Sequence, residues 1–130
     1  MWRLIGGTVA GVVAWFVTVT ILNMGLRYGW HDYAAVEKAM TFTLPMMLAR
    51  LSESGVSSIL SGAIAAAVAR NRHAALYAGL VLLLFFLPVH YMLFSKFPLW
   101  YHLVFLASLP LLSVLGGQLV RERSAAAQPA

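Results

Sequence analysis

Four long apolar stretches alternate with short polar intervals along this chain, and their lengths set the first expectations. Leu4 to Met24 carries no charged side chain. A run of about 20 such residues, wound as a helix, crosses a hydrocarbon layer about 30 Å thick. Apolar runs recur three more times, so the sequence predicts four spans, at about 4–24, 41–70, 74–94 and 99–120. Connections as short as Arg70-Asn71-Arg72-His73 return each helix beside the one before it. The expected fold is therefore all-α: a polytopic membrane protein with four transmembrane helices in an antiparallel bundle. A single transmembrane domain would occupy 1–123, with an interfacial segment at 25–40 and a disordered cytoplasmic tail at 124–130. The first span ends in Thr20-Ile21-Leu22-Asn23-Met24 rather than in the small residues of a cleavage site, so it is expected to be retained.

The polar intervals refine this outline. In 25–40, GLRYGWHDYAAVEKAM, the rings of Tyr28, Trp30 and Tyr33 suit a membrane interface, and Asp32 is placed to cap a short helix starting at Tyr33. The second span, read as one helix from Thr41 to Arg70, would be about 44 Å long at about 1.5 Å per residue, more than a bilayer core requires. Pro45 is expected to break or bend it near its start. Pro88 should kink the third span, and Pro98 suits the first turn of the fourth.

Composition narrows the class further. The 130 residues are 62% hydrophobic and 10% charged, with a mean hydropathy of +0.83, whereas soluble domains carry about 25% charged residues. The net charge of +5 is spread between apolar runs rather than gathered on one face, which argues against nucleic acid as a partner. Its meaning is orientation: Arg3, Arg70, Arg72, Arg121 and Arg123 fall on one side of a four-span layout, and Arg27, Lys38, Arg50 and Lys96 toward the other. The positive-inside rule then puts both termini in the cytoplasm. Trp30, Trp100, Tyr28, Tyr33, Tyr91 and Tyr101 would form an aromatic belt on the outer side. Cysteine is absent, which excludes disulfides, thiolate metal sites and a cysteine nucleophile.

Candidate functional residues are few. Arg50 and Glu53 lie inside the second span, three residues apart on one helix face, and are expected to be each other's partner. Ser54, Ser58, Gly62 and Ala66 follow at four-residue spacing, and Gly7 and Gly11 form a similar pair in the first span. Small residues so spaced let helix backbones approach closely. Ser57 and Ser61 widen the stripe and can bond back to the carbonyl one turn earlier. In PVHYMLFSKFPLWYHL, His90 and His102 are placed symmetrically about the turn, at similar depth on facing helices. One polar cluster of Arg50, Glu53, His90 and His102, joined by Asn23, is the candidate site. With no third ligand specified for the histidines, no metal and no cofactor is expected.

No nucleophile elbow, phosphate loop or zinc-protease motif occurs, so enzymatic chemistry is not expected. Two functional classes are left. The first is a non-enzymatic membrane component that assembles with itself or with a membrane partner through its small-residue faces, the lipid bilayer being its solvent. The second is a small proton- or ion-coupled transporter or channel using Arg50 and Glu53. Small multidrug-resistance transporters carry a glutamate in their first helix, where this chain has none, and fluoride channels carry an arginine soon after an opening glycine pair, where Gly6-Gly7 has none. Through FTLPMMLARL, PVHYMLFSKFPLWYHL and Gly116-Gly117, most of the chain resembles small bacterial inner-membrane proteins with no assigned activity. That resemblance implies topology and location in the bacterial inner membrane, and no mechanism.

Overall fold

A computed structural model describes residues 2–127, with side chains through Val120. It is all-helical, with α1 at Trp2–Gly29, α2 at His31–Glu37, α3 at Leu44–Ala69, α4 at His73–Met92 and α5 at Leu99–Ala127. Four of these, α1, α3, α4 and the Leu99–Val120 part of α5, are long and apolar enough to cross a membrane.

Several element ends differ from the sequence reading, each for a local reason. The short helix starts at His31 with Trp30 at its N-cap, in extended geometry, and Asp32 lies within the first turn. An acid there still complements the amide dipoles without acting as the cap. Thr43 caps α3, and Pro45 falls in its first turn. At that position the missing N–H has no helical partner to lose, so the proline starts the helix instead of bending it. Arg70 ends α3 in a left-handed conformation, φ 54°, with its N–H bonded to the Ala66 carbonyl. α4 and α5 run through Pro88 and Pro110 without interruption. The last helix extends through Ala127, so 124–127 of the expected tail is helical, in keeping with the high helix propensity of its alanines. Residues 128–130 lie outside the described residues.

The third helix is the hub, in contact with α1, α4 and α5. Its buried positions recur with helical period and are nearly all small: Ser54, Ser57, Ser58, Ser61, Gly62, Ala65, Ala66 and Ala69. The consequence is close approach. A Cβ on Gly7 would stand 2.5 Å from both the Ala65 carbonyl oxygen and the Ala69 Cβ, and one on Gly11 would stand 2.7 Å from the Ser61 carbonyl oxygen. Gly62 lies against the Ser113 backbone of α5, and Gly116 returns the contact against Ile59. Hydroxyls add to the fastening: Ser61 donates to the Gly11 carbonyl at 2.7 Å between α3 and α1, and Ser113 to the Ala75 carbonyl at 2.6 Å between α5 and α4.

The outward faces are the reverse of this interior. Ile5, Val9, Val13, Val17 and Ile21 form an exposed ridge along α1, and Val56, Leu60, Ile64 and Val68 do the same on α3. Bulky aliphatic side chains are outside, while serine, glycine, glutamate and histidine are inside. A protein folded by expelling apolar surface from water shows the opposite arrangement.

Candidate functional site

At the α2 end of the bundle the small residues give way to aromatic ones. Trp15 from α1, Phe86 from α4 and Phe105 from α5 meet around Leu82 and Leu109. Trp15 is 2% exposed, and its indole N–H donates to Ser58 Oγ at 3.0 Å, which in turn donates to the Ser54 carbonyl at 2.8 Å. Rings of this size cannot close onto one another as glycines do. They leave a cavity of about 410 Å³.

Arg50, Glu53, Ser54 and Asn23 line this cavity, with Trp15, Phe86, Tyr101 and Phe105 as its aromatic walls. Arg50 does not pair with Glu53. Its Nε donates to the Tyr101 hydroxyl at 3.2 Å and its Nη1 to the Tyr33 hydroxyl at 2.9 Å. Its guanidinium carbon lies 4.7 Å from the centre of the Phe42 ring, a cation–π contact. Two neutral hydroxyls and a ring face thus hold the cation, and no ion pair joins it to Glu53 among the described residues. Glu53, 8% exposed, accepts no hydrogen bond among the described residues, and its Oε1 is completely shielded. The pairing expected from three-residue spacing fails because the long arginine side chain finds better-placed acceptors on α2 and α5. Among the described residues the ion pair present is a different one, Arg27 with Glu37.

That ion pair ties α2 to α1. Asn23 Nδ2 adds a 3.4 Å contact to Glu37, and the Tyr33 hydroxyl donates to Asn23 Oδ1 at 2.7 Å. The Arg27 guanidinium holds the Glu37 carboxyl below its ordinary pKa. Burial pushes the Tyr33 phenol up, so it stays protonated and can donate to Asn23 while accepting from Arg50. Tyr33 and Tyr101 are 0% and 2% exposed. They are therefore not part of the outer aromatic belt in which the sequence reading put them, whereas Tyr28 and Tyr91 are largely exposed.

His90 and His102 do face each other, with their Nδ1 atoms 2.7 Å apart. Only one proton can lie between them. His102 Nε2 lies 3.4 Å from the Phe94 carbonyl, which suits an N–H there. In the neutral pair, His102 Nδ1 then accepts and His90 Nδ1 donates. The separation is also too short for a shared metal, since two nitrogens at about 2.0–2.1 Å from a tetrahedral ion stand roughly 3.4 Å apart. No group of three or more metal-ligating side chains occurs among the described residues. The histidines pack against Phe86, Phe105 and Tyr101, behind the cavity wall, so the four-residue cluster divides into a cavity pair and a separate imidazole pair.

The serines also divide. Ser58 bonds back to the carbonyl four residues earlier, while Ser61, for which the same bond was expected, crosses to α1 instead. Ser54 and Ser57 hydroxyls are buried without a partner among the described residues. Ser54, Ser58, Gly62 and Ala66 all face the interior, as do Gly7 and Gly11. Sequence reasoning missed Tyr33, Tyr101 and Trp15. Their aromatic character was visible, but their polar atoms find partners only across helices. Comparison with protein-family models, with curated proteins and with solved structures gives no match.

Proposed function

We propose that this chain is a polytopic membrane protein of the bacterial inner membrane, with four antiparallel transmembrane helices and both termini in the cytoplasm. We further propose that it works as a small solute transporter or channel, coupled to protons or ions, rather than as an enzyme. The observation that carries this reading is the cavity at Arg50 and Glu53, lined by an acid whose Oε1 is buried without a hydrogen-bond partner. A buried polar group left unpaired costs about 1–3 kcal/mol, and more when charged. A bundle with no use for it would fill that position with leucine.

The apolar exterior supports the membrane assignment, and the five-to-four distribution of basic residues supports the orientation. Assembly through small-residue faces has less support, because Gly7, Gly11, Gly62 and Gly116 are engaged within one chain. Reporter fusions after Arg70 and after Lys96 are expected to fall on opposite sides of the membrane. Purified protein in vesicles is expected to carry solute, and Glu53→Gln to reduce that flux at least tenfold. Flux indifferent to Glu53 would contradict the proposal.

A further inference from the structure

The cavity holds a guanidinium and a carboxyl group that do not satisfy each other among the described residues. A guanidinium has five N–H donors; Arg50 commits two of them, to Tyr101 and Tyr33, and both acceptors are neutral. Glu53 commits neither oxygen among the described residues. Arg27, also at the cavity wall, is neutralised by Glu37. The site as a whole therefore offers one cation and one acid that make no ion pair with each other among the described residues.

That arrangement discriminates between ligands by charge. A simple organic cation would gain from Glu53 and be repelled by Arg50, and a simple anion would face the reverse. Inside a low-dielectric bundle neither penalty is screened as it would be in water. A ligand carrying both charges meets a complement at each end. The remaining wall is aromatic, from Trp15, Phe86 and Phe105, and suits an apolar body. The volume, about 410 Å³, is within the usual range for a small-molecule site, about 300–1,000 Å³.

We propose that the cavity takes a zwitterion of the amino-acid type with an aromatic or other apolar side chain, its carboxylate toward Arg50 and its ammonium toward Glu53. This rests on the reading of the cavity as a solute site. It also gives a reason for Tyr33 and Tyr101: their hydroxyls keep Arg50 from collapsing onto Glu53, which would erase the site.

The test uses the full chain in lipid nanodiscs with three ligands of one shape: phenylalanine, phenethylamine, which lacks the carboxylate, and 3-phenylpropionate, which lacks the amine. Phenylalanine is expected to bind at least tenfold tighter than either. Glu53→Gln removes no hydrogen bond and is expected to fold; it should reverse the order in favour of 3-phenylpropionate. Arg50→Gln should favour phenethylamine, and thermal melting of each variant establishes that it is folded. Equal binding of all three, absence of phenylalanine binding, or an order unchanged in Glu53→Gln would overturn the proposal. Phenylalanine binding without uptake into vesicles would uphold the ligand class and reject transport. Uptake of the cation or the anion alone would do the reverse.

Discussion

The two ends of this bundle solve opposite problems. Around Gly7, Gly11, Gly62 and Gly116 the helices touch backbone to backbone, with no room for a methyl group. Around Trp15, Phe86 and Phe105 they are spaced by rings, and the space between holds Arg50 and Glu53. At the tight end backbones meet through small residues, and at the open end Arg50 and Glu53 lie in a space between rings without pairing among the described residues. The difference teaches that glycine and serine on α3 are there for geometry. Arginine, glutamate and the two buried tyrosines are the polar groups of the proposed solute site.

The largest expected effect lies at the tight end. Leucine at Gly62 would overlap the Ser113 backbone, a part that cannot rotate away. We expect Gly62→Leu to cost roughly 3 kcal/mol or more, the upper range for overpacking. Gly6→Leu, at a position with nothing within 4 Å of a Cβ, should melt close to wild type. Equal losses in the two variants would remove the distinction between the ends.

Next comes the arginine clamp. Tyr101→Phe and Tyr33→Phe each remove a hydrogen bond to a charged group, worth about 1.5–3 kcal/mol. In double-mutant cycles read by thermal melting, Arg50 should couple more strongly to Tyr101 than to Glu53. The opposite order would restore the Arg50–Glu53 pair. The imidazole pair should behave as a closed unit of its own. His90→Phe strands one buried nitrogen of His102, at about 1–3 kcal/mol, and His90→Phe with His102→Phe is expected to recover part of that loss. A double variant as unstable as the sum of its singles would show that the two rings do not depend on each other.

The smallest effect is at the α1–α2 tie. Glu37 has its pKa lowered by Arg27, so its contribution is present above the ordinary carboxyl value and is lost as pH falls through the lower folded value. The pair is partly exposed, Arg27 being 47% accessible, and salt screens it. Wild type should therefore lose slightly more stability than Glu37→Gln on acidification. Identical pH profiles would mean that the tie contributes nothing.

Much of the tight end was legible in the sequence. Four-residue spacing of Ser54, Ser58, Gly62 and Ala66 defines an inward face from helical period alone, and the symmetric placement of His90 and His102 about one turn puts them at equal depth. The open end was legible only in its residues. Helical spacing says that Arg50 and Glu53 share a face, but a side chain as long as arginine chooses among acceptors on other helices, and the sequence does not order those. Tyrosine adds a second ambiguity, since a ring with a polar tip suits an interface and a buried polar contact equally well. Tyr28 is exposed and Tyr33 is buried. Pro45 shows the same limit at short range, because three residues decide whether it begins a helix or interrupts one.

The central claim is that polar groups face a cavity between the helices while the apolar exterior faces lipid, and the absence of native cysteine allows a direct measurement. Val19 borders the cavity and is half-buried, and Val17, on the far side of α1, lies on the outer ridge and is 53% exposed in the isolated chain. Val19→Cys and Val17→Cys are labelled in native membranes with a water-soluble maleimide. Modification of Val19→Cys and none of Val17→Cys is the expected result. Rapid labelling of Val17→Cys would put the apolar ridge in water and contradict it.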